Sequence, residues 1–199
     1  MIPESIQKFI DNFSKLPSLG PRLVTRLVFY LLNLDRASLD NLIASLSNLK
    51  ELDRCERCFF LKNSSEKICE ICSNKSRDCA VIAIVEKETD LISIEKTGHF
   101  KGHYLILGEL NERGALETIQ KLRLKHLKDR IIKESNGKIK EIIIALNPNT
   151  FGDFTADIIR QEFKNLAEKI TRLGRGIPTG GEIEFADEET LNSALERRN

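Results

Sequence analysis

Four cysteines constrain the fold of this 199-residue chain more than any other feature. Cys55 and Cys58 form one CxxC pair, and Cys69 and Cys72 form a second pair after ten intervening residues. A two-residue spacer lets both thiolates of a turn point at one ion, and a tetrahedral metal takes two ligands from each turn. The intervening segment, FFLKNSSEKI, is long enough for a short hairpin that joins the turns. We therefore predict one structural zinc ion per chain.

Two other interpretations of the four cysteines remain open. A catalytic zinc needs an open coordination position, and four thiolates leave none, which favours a structural role. Two disulfide bridges are the other alternative. The N-terminal residues show no secretory signal pattern, and paired CxxC turns favour metal over bridges. We therefore expect a reducing compartment, the cytoplasm.

Length and charge limit the classes of protein that this sequence can be. At 199 residues, the chain is long enough for one large or two to three small domains. The net charge of +1 predicts no broad basic surface, so a nucleic-acid site would have to be local. The longest apolar runs, such as residues 142–146, fall far short of the roughly 20 residues that cross a bilayer.

Three short amphipathic helices are predicted before the cysteines. Apolar side chains recur there at spacings of three and four. The first stripe is Ile2, Ile6, Phe9, Ile10, Phe13 and Leu16, the second is Leu23, Leu27, Val28 and Leu31, and the third is Leu39, Leu42, Ile43, Leu46 and Leu49. These stripes predict the faces that the helices bury.

A turn with the sequence LPSLGPRL joins the first two helices. Pro17 ends the first helix, Gly20 permits a positive φ, and Pro21 suits the first turn of the second helix. Backbone amides at such a helix start can bind a phosphate oxygen, and Arg22 and Arg26 lie one helical turn apart beside it. This is the geometry of a helix-hairpin-helix, which binds the DNA backbone regardless of sequence. Any two helices joined by a Gly-Pro turn would look similar.

Helix and strand alternate after the cysteines. The segment AVIAIV predicts a buried strand that ends at Glu86, followed by a helix with Asp90 near its start. Two more strands are predicted at residues 104–108 and 139–146, and a long charged helix is predicted from Ala115 to Ser135. This alternation predicts an α/β domain with a parallel sheet. Ligands gather at the carboxyl ends of such strands, where Glu86 and residues 147–157 fall.

The strand-end Glu86 and the sequence NPNTFGD at residues 147–153 resemble the Toprim domain of topoisomerases and primases, in which a glutamate and a DPDREGE motif bind Mg²⁺. Here Asn147 and Asn149 replace both aspartates, and Phe151 replaces the first glutamate. Neutral amides lack the charge that offsets the dehydration of a hard dication. Glu86, Asp90 and Asp153 remain candidates for a single Mg²⁺ or for a partner contact, and the alternative is that they are solvated acids at strand ends.

The whole chain resembles the RecR family of bacterial recombination mediators. The resemblance rests on LPSLGPRLVTRLVFYLL, on the paired CxxC motifs, and on RLGRGIPTGGEIEFADEETLNSALERR at residues 172–198. It implies an α/β multi-module chain. The expected modules are a helix-hairpin-helix region at residues 1–54, a four-cysteine zinc finger (zinc ribbon) at 55–72, a Toprim domain at 80–175, and a C-terminal segment with a Gly-rich loop and a helix at 176–199.

The resemblance implies a non-enzymatic function in DNA repair. A homodimeric or homotetrameric ring would clamp DNA. It would act with RecO and RecF to load RecA onto single strands coated by single-strand-binding protein. The expected location is the bacterial cytoplasm, and the nucleoid during repair. Family DNA contacts carry over to Arg22, Arg26 and Gly20. Two alternatives are a Mg²⁺-dependent nuclease or primase of the Toprim class, and a zinc adaptor that binds only proteins.

Several residues depart from the family pattern or stand outside it. Ser18 stands where the family has the first glycine of the hairpin. Phe151 stands where the family has a glutamate that is implicated in contact with RecO. The segment GELNERGAL is shorter than the corresponding family segment. Cys79 is expected to be a packed thiol. The three histidines show no ligand spacing and are expected to be surface or packing residues; they are His99, His103 and His126. The tail glycines are expected to form a structural turn or an oligomer contact.

Overall fold

The computed structural model describes residues 2–110, 116–196 and 198. The chain divides into two compact units, Met1–Leu52 and Asp53–Asn199. Within the described residues, no helix has the length and apolar character needed to cross a membrane.

The first unit contains the three predicted helices. They are α1 (Glu4–Phe13), α2 (Pro21–Leu32) and α3 (Arg36–Asn48), followed by a 3-10 turn (Leu49–Glu51). Pro21 opens α2, where its missing N–H costs nothing, and the carboxylate of Asp35 caps α3 by accepting a bond from the Ser38 amide at 3.0 Å. The helix-and-turn pattern predicted from the sequence is confirmed.

The hairpin between α1 and α2 makes its left-handed turn at Ser18 and not at Gly20. Gly20 has a φ of −76° and an extended conformation as the residue before Pro21, so the predicted positive φ there is wrong. Ser18 has a φ of +63°, a region that costs a residue with a Cβ roughly 1–2 kcal/mol. The serine therefore adopts the backbone conformation for which a glycine is suited.

The helix faces of the first unit differ from the predicted stripes. On α2 the fully buried side chains are Val24 and Val28, whereas Leu23 is 51% exposed. No residue of α3 is buried, and Ile43 and Leu46 remain more than half exposed. The spacing identified the helices correctly, but their apolar faces are covered only in part.

The second unit is built on a four-stranded parallel sheet. Its strands are β3 (Asp78–Val85), β4 (Gly102–Ile106), β5 (Ile139–Ala145) and β6 (Ala167–Arg172), in the order β4-β3-β5-β6. They follow a two-stranded sheet of β1 (Leu52–Arg54) and β2 (Leu61–Asn63) and the short helix α4 (Glu70–Ser73). The parallel sheet is confirmed; the sequence did not predict β6.

Helices cover both faces of the parallel sheet. They are α5 (Glu88–Lys96), α6 (Thr118–Glu134) and α7 (Thr150–Phe163). Helices α6 and α7 pack on one face through Leu127 and Phe163, and α5 packs on the other through Leu91, beside Ile71 of the cysteine segment. The long charged helix is thus present, although Ala115, its predicted first residue, lies outside the described residues.

The tail forms a turn, a 3-10 helix (Ile183–Phe185) and helix α8 (Glu188–Glu196). Gly180 has a φ of +85°, and the Gly181 amide donates to the Pro178 carbonyl at 2.9 Å. The predicted glycine turn and C-terminal helix are both present.

Candidate functional site

The four paired cysteines meet in one buried cluster. All four side chains are buried, none is disulfide-bonded, and their Sγ atoms lie within 4.8 Å of one another. The Sγ atoms of Cys58 and Cys69 are 3.4 Å apart. A tetrahedral zinc ion with Zn–S bonds of about 2.3 Å places its sulfurs about 3.8 Å apart. The donor set therefore fits a closed zinc site with four thiolate ligands.

Backbone amides point at the sulfurs of this cluster. The amides of Cys69 and Arg57 donate to Cys55 Sγ at 3.3 and 3.4 Å, and the Phe60 amide donates to Cys58 Sγ at 3.5 Å. Hydrogen bonds from Cys58 above all lower the pKa of Cys55, whereas the bond to Cys55 raises the pKa of Cys58. Four crowded sulfurs cannot all ionise alone, because like charges disfavour one another, and a dication removes that conflict.

The first cysteine turn is joined to the parallel sheet. The carbonyl of Cys58 accepts a hydrogen bond from the Ile106 amide at 2.9 Å, on the edge strand β4. The next residue, Phe59, packs against the hydrophobic clusters on both faces of the sheet, with the Arg123 guanidinium 4.8 Å from its ring centroid. The cysteine cluster therefore belongs to the core of the second unit.

Glu86 follows β3, and each of its two carboxylate oxygens accepts a hydrogen bond from another protein group. The residue is only 6% exposed. One oxygen accepts from the Asn147 amide group at 2.8 Å, and the other accepts from the Leu110 backbone amide at 3.2 Å. A buried carboxylate is stable when hydrogen bonds replace its water, and Asn147 supplies one of them. The asparagine in the place of a Toprim aspartate is thus a donor to Glu86.

The other two candidate acids also have partners within the protein. Asp90 accepts from the Lys87 amide at 2.9 Å and so caps α5. Asp153 accepts from Arg172 Nη2 at 2.5 Å and forms an ion pair with Arg175, which also contacts Glu189. Of the groups of His, Cys, Asp and Glu in the described residues, only the four cysteines bring three or more ligand atoms together. The structure does not assemble the three acids into a metal site.

The start of α7 lies very close to the end of β5. A Cβ atom on Gly152 would stand 2.0 Å from the carbonyl oxygen of Asn147, so only glycine fits there. The side chain of Asn149 accepts from the Gly152 amide at 2.8 Å and caps the helix. Both asparagines of the NPNTFGD segment therefore have structural contacts: Asn147 binds Glu86 and Asn149 caps α7.

The strand ends, α7 and the tail line an open cleft of about 940 Å³. Its lining carries Asp90, Asp153, Arg172 and Arg175. The two guanidinium groups lie against Asp153, so part of the negative charge in the cleft is already neutralised by the protein.

In the first unit, the two hairpin arginines are exposed on α2. Arg22 and Arg26 are one helical turn apart, and no side chain caps the start of this helix at Gly20. An uncapped helix start keeps partial positive charge on its free backbone amides. The arrangement provides two guanidinium groups beside a positively polarised helix end.

Comparison with known proteins covers the whole chain. The model of the Toprim domain matches residues 80–174, and the model described as RecR, C-terminal, matches residues 176–199. A recombination protein RecR from Bifidobacterium animalis subsp. lactis is 40% identical over 98% of this chain and 95% of its own length. One from Herpetosiphon aurantiacus is 38% identical over 98% and 94%, and one from Paenarthrobacter aurescens is 36% identical over 100% and 98%. The chain belongs to the RecR family.

Sequence reasoning missed several residues of this RecR site. Arg172 is the last residue of the unpredicted strand β6, and Arg175 follows that strand. Both lie about 20 residues from Asp153, so no local pattern links them to it. Gly152 could have been noticed, since it stands at the glycine of the resembling DPDREGE motif. The carbonyl of Arg57 accepts from Arg130 of α6 at 2.8 Å, and the Arg57 side chain pairs with Glu134 of the same helix. The sequence did not indicate these contacts, because it predicts only a charged, amphipathic helix there.

Other predictions about this RecR chain have mixed outcomes. Cys79 is exposed near the start of β3, so its predicted packing is wrong; the first two residues of this strand are not covered. His103 is buried, and burial followed by the charge of Arg130 lowers its pKa. The predicted shortening of GELNERGAL falls mainly on residues 111–115, which lie outside the described residues. Phe151 is half-buried in the first turn of α7.

Proposed function

We propose that this RecR protein is a non-enzymatic, DNA-binding recombination mediator of the bacterial cytoplasm. It would close as a ring around DNA and act with RecO and RecF to load RecA onto single strands coated by single-strand-binding protein. The observation that carries the proposal is the match to RecR proteins at 36–40% identity over nearly the full length of both chains. The modules proposed above, at residues 1–54, 55–72, 80–175 and 176–199, would divide this work.

DNA binding is assigned to the hairpin of the first unit. Arg22, Arg26 and the backbone at Gly20 would contact phosphates, because guanidinium groups and an uncapped helix start both favour anions. Such contacts position DNA without reading its sequence. A closed ring adds topological retention, which is compatible with a chain of net charge +1.

Zinc is the cofactor that the cysteine cluster fits. Cys55, Cys58, Cys69 and Cys72 would hold one ion, and their buried, closed donor set supports a structural role. When bound, zinc supplies a charge that allows four thiolates to coexist. The ion would fix the first cysteine turn against β4 through the Cys58 carbonyl.

Magnesium does not fit the acids of the Toprim domain. Asn147 and Leu110 occupy the oxygens of Glu86, Asp90 caps α5, and two arginines neutralise Asp153. A hard dication would have to displace these partners and would find amide oxygens at Asn147 and Asn149. We therefore assign no nuclease or primase chemistry to the site, and Glu86, Asp90 and Asp153 remain candidates for contact with a protein partner.

Self-association is supported by the uncovered apolar side chains of the first unit. Phe29 and Tyr30 of α2 are 48% and 64% exposed, and Leu42, Ile43 and Leu46 of α3 are 45–55% exposed. Contiguous exposed apolar surface marks interaction sites. A homodimer or homotetramer would bury such surface and supply the ring.

Fluorescence anisotropy with a gapped DNA tests the proposal at two salt concentrations. The variant is Arg22→Ala, Arg26→Ala, and the matched control is Arg36→Ala, Lys50→Ala, which removes the same charge from other exposed positions of the first unit. We expect the hairpin variant to bind at least 10-fold more weakly on every sequence. Its salt slope should fall by about 0.9 for each lost phosphate contact. The control should bind like the wild type.

Three outcomes would contradict the proposal. Equal binding by wild type and hairpin variant would remove the assignment to Arg22 and Arg26. If neither binds with or without RecO, the adaptor that binds only proteins is favoured. Incubation of supercoiled plasmid with Mg²⁺ should give no nicking or relaxation, and cleavage would restore the enzyme alternative.

A further inference from the structure

Helix α6 contacts the first cysteine turn at Arg57, which lies between Cys55 and Cys58. Arg130 Nη1 donates to the backbone carbonyl of Arg57 at 2.8 Å. Glu134, one helical turn further along α6, forms an ion pair with the Arg57 side chain. Backbone and side chain of the same residue are therefore both held by α6.

The residue that α6 contacts also hydrogen-bonds to a sulfur of the cluster. The Arg57 amide donates to Cys55 Sγ at 3.4 Å, so α6 orients a residue that itself hydrogen-bonds to a predicted ligand. Ligands of metal sites depend on such outer contacts for their orientation. In the second cysteine turn, the contact with the sheet is the packing of Ile71.

Charge gives the two arginines a second effect. Four thiolates and one Zn²⁺ sum to a net charge of −2, and a buried charge is costly unless neighbours offset it. Arg57 lies between two of the predicted ligands and donates its backbone amide to Cys55 Sγ. The Arg130 guanidinium donates to the carbonyl of the same residue. Both cations therefore lie close to the cluster.

We propose that Arg130 is a positioning residue of the metal centre, which holds the Cys55–Cys58 turn through Arg57 and, together with Arg57, offsets the negative charge of the thiolate cluster. The proposal rests on the assignment of zinc made above. It goes beyond that assignment because it makes the affinity for metal depend on Arg130, which is more than 50 residues away in the chain from the nearest ligand, Cys72.

The test is the zinc affinity of the full-length protein, measured by competition with a chromogenic chelator at constant pH. Arg130→Gln removes the charge and keeps a donor, and Arg130→Lys keeps the charge. Lys125→Gln is the matched control, since it removes one charge from an exposed position of the same helix. Circular dichroism of the zinc-saturated proteins should be the same for all of them.

We expect Arg130→Gln to lower the zinc affinity about 10- to 100-fold, the range typical of outer contacts at metal sites. Arg130→Lys should recover part of the loss, and Lys125→Gln should match the wild type. An unchanged affinity in Arg130→Gln overturns the inference. If that variant does not fold, Arg130→Lys takes its place, because lysine cannot reproduce the guanidinium bond to the Arg57 carbonyl. It should bind zinc more weakly than Lys125→Gln, and equal affinities overturn the inference.

The zinc content of the wild type distinguishes a failure of the zinc assignment from a failure of the role given to Arg130. A wild type without zinc contradicts the assignment of the metal and, with it, the role of Arg130. A wild type with one zinc per chain whose affinity survives both arginine changes contradicts only the role of α6.

Discussion

Two regions of this RecR chain carry sequence patterns typical of metal sites, but the folded structure arranges their side chains differently. The four cysteines turn their sulfurs toward one another, and backbone amides complete the shell around them. The acids of the Toprim domain each face another protein group: Glu86 faces Asn147, Asp90 caps α5, and Asp153 faces two arginines. A metal site therefore requires ligands that remain free for the ion, and only the first region keeps them so.

The difference has a common electrostatic basis. A cluster of anionic groups is stable only if cations or hydrogen-bond donors balance it. At the cysteines, the protein contributes too little positive charge for four thiolates, and a metal ion would complete the balance. At the strand ends, Arg172 and Arg175 pair with Asp153, and the amide of Asn147 donates to Glu86. Other protein groups therefore already contact these acids.

The largest expected effect comes from breaking the first region. Cys58→Ser removes one of four ligands and disturbs the turn whose carbonyl pairs with Ile106. We expect zinc to fall well below one per chain. The unfolding free energy should lose a large part of the about 10–16 kcal/mol that structural zinc contributes in small domains. Metal analysis and denaturant unfolding measure both.

Cys79→Ser is the control for the cysteine change, because Cys79 is exposed and lies outside the cluster. It should retain full zinc and wild-type stability. Equal stability of Cys58→Ser and Cys79→Ser would show that the cluster does not support the fold.

More of the cysteine cluster than of the acid region could be predicted from the sequence, and the reason is physical. Ligand spacing in CxxC pairs is local, so the cysteine cluster could be predicted from residues 55–72 alone. The helices of the first unit, α5, α6 and three of the parallel strands followed from the apolar pattern, whereas α7 and β6 were not predicted. The neutralisation of Asp153 could not be predicted, because it depends on tertiary contacts with Arg172 and Arg175. Likewise, spacing placed Gly20 in the hairpin but could not reveal that Ser18 would take the positive φ.

A second change tests how closely the acid region is packed. Gly152→Ala would place a Cβ 2.0 Å from the Asn147 carbonyl oxygen, so α7 must move away from the end of β5. We expect a loss of about 3 kcal/mol, the upper end of the usual cost of overpacking. Thermal unfolding compared with Gly176→Ala, where nothing lies within 4 Å, measures it. Similar melting of the two variants would contradict the close approach.

The third change makes the acid region resemble an active Toprim site. Asn147→Asp replaces the donor that lies 2.8 Å from a Glu86 oxygen with a second carboxylate. We expect a loss of about 1–3 kcal/mol, because the buried Glu86 loses its side-chain donor and keeps only the Leu110 amide. Millimolar Mg²⁺ should restore part of the melting temperature of this variant and leave the wild type unchanged. A wild type that Mg²⁺ stabilises would contradict the poor fit of the native site.

The smallest effect is expected at the other asparagine, two residues away. Asn149→Asp adds the same charge near the same strand end, but this side chain caps α7 by accepting from the Gly152 amide at 2.8 Å. Aspartate is as good a cap as asparagine, and its charge gains about 0.3–1 kcal/mol from the helix dipole. Repulsion from Asp153 at i+4 offsets some of that gain, although Arg172 and Arg175 already neutralise Asp153. The unfolding free energy should therefore change by less than about 0.5 kcal/mol. A loss as large as that of Asn147→Asp would mean that any added negative charge at this strand end destabilises the protein. The specific contact of Asn147 with Glu86 would then not explain the difference from the cysteine cluster.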